Sequence, residues 1–186
     1  MVLLAYLSGS LYCVSASNYI TDLSIIAAEA EVKDEENRHF LQSLKKYDNT
    51  ELDRIAHAVN AEVTTAVDCT TCGNCCKTLV INVTHEEVDA LAACFNQSRE
   101  TVKEKYIEES QGGNYFVNVI PCHFLKDKKC TIYENRFTEC RDFPHLHKPG
   151  FKARLAGTLN YYGMCPIIYN VVEEMKLRLG FKEVNG

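Results

Sequence analysis

The stretch Cys69-Thr-Thr-Cys72-Gly-Asn-Cys75-Cys76, CTTCGNCC, decides how this chain is read. It holds four of the ten cysteines. The C-x2-C spacing has a physical basis. A tight turn brings two thiolates onto one tetrahedral ion, with zinc–sulfur distances of about 2.3 Å. Here the spacing occurs twice in succession, as C-x2-C-x2-C.

A C-x2-C-x2-C run with a further Cys-Pro step also holds four-iron clusters in bacterial ferredoxins. Cys165-Pro166 supplies such a step, but far downstream, so this match is partial. The doubled cysteine adds a constraint. Successive side chains point to opposite faces of a strand and diverge by about 100° in a helix. Cys75 and Cys76 are therefore not expected to bind one mononuclear ion together. Either they serve two neighbouring centres, or one of them packs or does redox chemistry. A disulfide between adjacent residues needs a strained ring.

Working outward, Cys122, Cys130, Cys140 and Cys165 complete a set of eight with Cys69, Cys72, Cys75 and Cys76. Eight thiols suffice for two four-thiolate sites, or for one cluster plus extra thiols. Cys13 and Cys94 stand apart. Cys94 follows Leu91 and precedes Phe95 on a helical pattern, which places it in the core. An even count permits disulfides. However, 186 residues can bury a core without staples, so a secreted disulfide scaffold ranks last. His123, His145 and His147 are available as replacement ligands, or as surface or outer-shell residues.

The flanking segments read mostly as helices. Thr21 to Tyr47 lacks Gly and Pro and reads as one long helix. Its charged middle, Glu31 to Arg38, suggests a solvated arm. Asn49 or Thr50 caps a second helix, Glu51 to Val67, which leads into the cysteines. Thr78 to Val83 is a short strand, Thr84-His-Glu-Glu87 is a capping box, and a helix follows to Phe95. Ser98 caps another helix through Tyr106. Gln111 to Asn114 is a turn and Tyr115 to Ile120 a strand. Pro121 to Pro149 is irregular. Pro166 opens a last helix that buries Ile168, Val171, Val172, Met175 and Leu179. The expected fold class is mainly α with a small β component, α+β, with irregular cysteine-rich loops between helices. Its expected divisions are an extension at 1–20, poorly ordered, a helical arm or hairpin at 21–68, and a cysteine-cluster domain at 69–182.

The net charge of -5 argues against a large nucleic-acid footprint, which needs a basic face. The basic runs at Lys126 to Lys129 and Lys148 to Arg154 read as solvated surface. The apolar start, MVLLAYLSGSLYCVSAS, has no positive residue ahead of it, as a secretory signal would. It is also too short and too interrupted for a membrane span. The expectation is a cytoplasmic protein with neither a nucleic-acid nor a membrane partner.

At this point the residues carry a resemblance. CxxCxxCC, then PCHFL, then KCTIYENRFTECRDFP, and later CP, resemble the CxxCxxCC family of zinc- or iron-chelating proteins, over about Thr21 to Phe181. The resemblance implies metal ligation by Cys69, Cys72, Cys75, Cys76, Cys122, Cys130, Cys140 and Cys165. The cofactor would be Zn2+ or iron, including a 4Fe–4S cluster. One position departs: Phe137 stands where the family usually has proline after the YxxR arginine. A related cysteine cluster occurs in flagellin lysine methylases, which implies that the module can serve an enzyme. The alternative is therefore an iron–sulfur redox or transferase-associated enzyme component, with the substrate open. Arg136 and Arg141 would offset thiolate charge, or pair with Glu134, Glu139 or Asp142. Phe124, Tyr133 and Phe143 would wall the site.

Overall fold

The computed structural model describes residues 19–117 and 119–182; the expectations for residues 1–18 lie outside them. The fold is mainly α with a small β component. Two apolar cores hold it together.

The larger core is helical. The helix α1 spans Leu23–Val32 and α2 spans Asp34–Ser43. The α3 helix runs Asn49–Ala66, α7 runs Phe151–Leu159 and α8 runs Pro166–Arg178. Periodicity explains the α3–α8 seam. Leu52, Ala56, Val59 and Val63 recur at steps of three and four and are fully buried. They belong to the same core as Ile168, Val171, Val172 and Met175 of α8, also fully buried. Asp48 caps α3, its carboxylate accepting from Thr50 N at 2.8 Å and Glu51 N at 3.1 Å. The cap thus falls one residue earlier than the expected Asn49 or Thr50, where an acceptor reaches the first free amides.

The segment 21–47 corrects the expectation of one solvated helix. It breaks at Lys33, whose backbone leaves helical geometry at φ -92° and ψ 9°. Ile26, Phe40 and Leu44 are fully buried in the helical core. Two charges of the middle stretch, Lys33 and Glu36, are tied to α8, while Glu31, Asp34, Glu35 and Arg38 stay exposed. Lys33 Nζ lies 2.7 Å from Glu173, and Lys176 Nζ lies 2.9 Å from Glu36 and 2.7 Å from Glu173. Lys176 is only 5% exposed, and a charge so buried is tolerated because two carboxylates face it. The Tyr162 hydroxyl also donates to Glu173, at 2.8 Å.

The smaller core surrounds a sheet. The strand β1 is Ile81–Val83, β2 is Glu108–Glu109 and β3 is Tyr115–Val117. They form an antiparallel sheet in the order β1-β3-β2, with Ile81 opposite Val117. Both longer strands are shorter than expected: Thr78 to Val80 and the residues from Val119 to Ile120 lie outside the ladder. Val80, Val119 and Ile120 are exposed there. The helix α4, His85–Phe95, carries the expected capping box, and α5, Arg99–Tyr106, is capped by Ser98 as expected. A hairpin of β4, Leu125–Lys126, and β5, Lys129–Cys130, precedes the short α6, Thr138–Asp142.

Cys94 is exposed, not in the core. At 100° per residue the buried stripe of α4 is centred between Val88, Leu91, Ala92 and Phe95, and Cys94 falls to its side. The run from Lys148 to Arg154 is also less solvated than expected. Arg154 donates to the carbonyls of Pro149 and His145, Lys148 pairs with Asp142, and Lys152 donates to the Tyr47 carbonyl.

Candidate metal centre

The loop after α3 is shaped by short-range polar contacts. Asp68 accepts from Thr70 N at 2.8 Å and opens a 3-10 turn over Cys69–Thr71. Gly73 then takes φ +62°, which turns the chain back. A Cβ there would sit 2.6 Å from the Lys128 carbonyl, so the β4–β5 turn packs directly on the knuckle. Only glycine meets both requirements. The Asn74 amide donates to the Met164 carbonyl at 2.9 Å, which brings the knuckle to the start of α8. A second 3-10 turn, Cys75–Lys77, follows, and Cys76 O accepts from Cys122 N at 2.8 Å. Sequence reasoning singled out neither Gly73 nor Asn74. The GN step inside the motif was the available signal.

These contacts sort the eight cysteines into two groups. Cys69, Cys72, Cys75 and Cys165 form one. Cys165 interacts electrostatically with Cys69, Cys72 and Cys75, and Cys69 with Cys72 and Cys75, while Cys75 also interacts with Cys140 of the other group. Cys76, Cys122, Cys130 and Cys140 form the other, in which every pair interacts. The first group borders a cavity of about 60 Å3, and Cys76, Cys122 and Cys140 of the second border one of about 20 Å3, which Cys130 does not line. Cys75, Cys140 and Phe143 line both cavities.

Desolvation dominates the thiol chemistry. Burial pushes the Cys165 thiol up to about 11 and Cys140 up to about 12. Burial likewise raises Cys69, Cys122 and Cys130. The exception is the doubled cysteine. The Cys76 thiol hydrogen-bonds to the Cys75 sulfur, which holds Cys75 below its ordinary value and Cys76 well above it. The pair therefore gives up its first proton readily and its second with difficulty.

Arg136 is the cation at this site. Its guanidinium stacks 3.8 Å from the centroid of the Tyr133 ring and donates to the Tyr133 carbonyl at 2.7 Å. Its charge partly offsets the burial that raises Cys69 and Cys130, one from each group. Arg141 does not reach a thiol in this way. It donates to the Arg136 carbonyl at 2.7 Å and so supports the loop. Neither arginine pairs with Glu134, Glu139 or Asp142. Asp142 takes Lys148 at 2.6 Å, and Glu139 accepts from Asn82 N at 3.1 Å.

Of the expected wall, Phe143 lines both cavities. Phe124 is buried behind Cys122 and Cys130 in the smaller core, and Tyr133 serves as the seat of Arg136. Phe137, at the position of the missing proline, is 3% exposed and packs on Phe124. His123 packs edge-on against Tyr106, and His145 against Phe143.

All nine cysteines among the described residues are free thiols. No three His, Cys, Asp or Glu side chains among these residues are arranged to hold an ion as they stand. The donor set itself suits one: thiols only, seven of them lining two adjoining cavities.

The fold and the two thiol groups define a cysteine-cluster protein. A family model matches residues 68–162: CxxCxxCC, described as a "Putative zinc- or iron-chelating domain". The chain belongs to this family, over a shorter span than the expected Thr21 to Phe181, with Cys165 just beyond the match. No curated protein and no solved structure matches the chain. Among the described residues, no helix is long and apolar enough to cross a membrane.

Proposed function

We propose that this protein chelates metal through two four-thiolate centres. Cys69, Cys72, Cys75 and Cys165 would hold one, and Cys76, Cys122, Cys130 and Cys140 the other. The observation that carries this reading is the gathering of seven thiols around two adjoining cavities, Cys75 and Cys140 lining both, with Cys130 interacting with Cys76, Cys122 and Cys140 beside the second. A thiolate-bound metal would supply a fixed point for loops that the small core alone holds weakly. The residues of the chain do the rest. Phe143 and the core side chains exclude water, Gly73 and Asn74 hold the knuckle, and Arg136 offsets negative charge. Reduced thiols suit a cytoplasmic setting.

A second reading has its own support. Cys165-Pro166 joins the C-x2-C-x2-C run in one group, and that group has the larger cavity. This matches in part the donor pattern of a 4Fe–4S cluster, with the Cys-Pro step far downstream. The first centre would then hold a cluster, and the second a single ion. Such a centre would serve an iron–sulfur redox or transferase-associated role.

Anaerobic purification, a visible spectrum and elemental analysis decide between them. Two ions per chain without colour or sulfide support the two-ion reading. A broad band near 400 nm with acid-labile sulfide, by the ordinary optical behaviour of such clusters, supports the second. A protein with neither metal nor sulfide overturns both. In the supported case, Cys72→Ser should empty the first centre and lower the melting temperature.

A further inference from the structure

The four thiols of the first group come from two places. Cys69, Cys72 and Cys75 ride on one short loop, whereas Cys165 stands at the N-cap of α8. The helical core brings these two places together. Val67, just after α3, and Ile167, in the first turn of α8, both line the cavity of this group, and both belong to that core. Packing therefore aligns the near end of the loop with Cys165. It does not hold the far end, since Gly73, Asn74 and Cys75 belong to neither apolar core.

Asn74 closes that end. Its side-chain amide donates to the carbonyl of Met164, the residue before Cys165, at 2.9 Å. Among the described residues, this is the one hydrogen bond between the loop 69–77 and the segment 160–166. Both of its partners are fixed. The Asn74 carbonyl accepts from Lys77 N and from Thr78 Oγ1, each at 2.9 Å. On the other side, Met164 N and Cys165 N both donate to the Tyr161 carbonyl, at 3.2 Å and 3.0 Å, which sets the Met164–Cys165 peptide. The contact lies at the cavity itself, since Asn74, Met164 and Cys165 all line it.

The residue type matters. An amide offers a donor to the Met164 carbonyl. Aspartate would set a carboxylate oxygen against that carbonyl, and alanine would leave it unmet. The second group is closed by other means. There Cys122 N donates to Cys76 O at 2.8 Å, backbone to backbone, and no side chain can be removed to cut the link. The first group, by contrast, has a thiol whose delivery depends on one side chain.

We propose that Asn74 sets the coordination number of the first centre. Its bond to Met164 delivers Cys165 as the fourth ligand to a loop that already carries three. Without that bond the centre is a three-thiolate site with an open position, where a metal can take an outside ligand. This rests on the two-centre reading above and names what governs its first centre. Asn74 is a positioning residue, not a ligand.

The test is an anaerobic Co2+ titration of the full chain, read by its optical bands. It compares wild type, Asn74→Asp, Asn74→Ala, Cys165→Ser, and Asn74→Asp combined with Cys165→Ser. Wild type should take two ions, and the step that Cys165→Ser weakens identifies the first centre. Asn74→Asp and Asn74→Ala should weaken that same step by roughly 10–100-fold, the range for a group that orients a ligand, and leave the other step as it was. Their thiolate-to-cobalt band should fall to the intensity seen in Cys165→Ser. In the Cys165→Ser background, Asn74→Asp should cost nothing more, because the ligand it acts through is gone. Costs that add would mean that Asn74 only holds the loop, and would overturn the proposal. Wild-type affinity and band intensity in both single variants overturn it too. Should Asn74→Asp not fold, Asn74→Ala takes its place in the cycle. Should Cys165→Ser take no ion at the first centre, alkylation of the zinc-loaded Asn74 variant decides, with the reacted thiols mapped by mass spectrometry. Cys165 alone should then lose the protection it has in zinc-loaded wild type. Protection of all four thiols of the group, or its loss at all four, overturns the proposal. Wild type binding no ion overturns the two-centre reading itself, which is a separate result.

Discussion

The helical core and the cysteine-bearing lobe solve the same problem by different physics. The helical core closes by burying side chains. Ile26, Leu52, Val59, Leu155, Ile168 and Met175 are fully buried in one continuous cluster. The lobe from β1 to α6 has a smaller apolar cluster, two- and three-residue strands, and irregular chain at its cysteines. Its Cys122, Cys130 and Cys140 pack on that cluster, and Cys122 and Cys140 line a cavity. A segment that buries little apolar surface cannot offset the entropy of ordering irregular loops. The contrast implies a division of labour, with packing holding the first region and metal holding the second.

Removing metal is the most direct way to break that contrast. Structural zinc contributes on the order of 10 kcal/mol in small thiolate sites at neutral pH. A strong chelator should therefore strip protection from the amides around Cys122 to Cys140 in hydrogen exchange. Amides of α3 and α8 should stay protected. Uniform loss across both regions would mean that the two cores are one cooperative unit. No loss anywhere would mean that packing alone holds the lobe.

Ile168→Ala attacks the other side. The residue is 0% exposed in the helical core, and such truncations cost about 2–5 kcal/mol. The melting temperature of the α3–α8 unit should fall by a similar amount with and without chelator. A cost that vanishes on chelation would tie the helical core to the metal, against the division proposed.

Gly73→Ala sharpens the comparison at the boundary itself. The new Cβ would meet the Lys128 carbonyl at 2.6 Å, at a φ of +62° that side chains rarely adopt. Backbone in such a region costs about 1–3 kcal/mol. The loss should be read in metal affinity and in the lobe's melting, with the α3–α8 unit unaffected. Equal metal affinity in the variant would show that the hairpin does not need to seat on the knuckle.

How far the sequence reaches differs between the two regions for the same reason. Helix α8 and the seam of α3 were legible because apolar side chains recur at helical spacing over several turns. The break at Lys33 was not, because no Gly or Pro marks it, and besides its local pair with Glu29 its ammonium reaches Glu173, far along the chain. The cysteine motif announced thiolate chemistry at once. Its division into two fours was hidden, since Cys165 joins Cys69 and Cys72 only through tertiary folding. The expectation from side-chain direction, that Cys75 and Cys76 diverge, meets a different arrangement: their thiols hydrogen-bond to each other, and Cys75 also interacts with Cys140, so the doubled cysteine joins the two groups.

The smallest effects expected are at the cap of α4, and they test whether the lobe's helices are tied to the metal site. Thr84 and Glu87 form the capping box, with Glu87 N donating to Thr84 Oγ1 at 3.2 Å and Thr84 N to Glu87 Oε2 at 2.8 Å. Glu87 has a second task. Its Oε1 accepts from Thr138 N at 2.6 Å, at the first turn of α6, whose N-cap Phe137 offers no side-chain acceptor. One carboxylate thus satisfies amides at the starts of two helices, and the second helix carries Cys140. Thr84→Ala removes only the bond from Glu87 N to Thr84 Oγ1 and should cost about 1 kcal/mol. Glu87→Ala removes the two bonds its carboxylate accepts, from Thr84 N and Thr138 N, and should cost more, within about 2 kcal/mol for two exposed bonds. The difference should also appear in binding. Glu87→Ala should weaken the centre that contains Cys140, while Thr84→Ala leaves Co2+ affinity as it was. Identical affinities in the two variants would mean that α6 holds Cys140 through β1 and Glu139 alone, and that the cap of α4 ends where the capping box does.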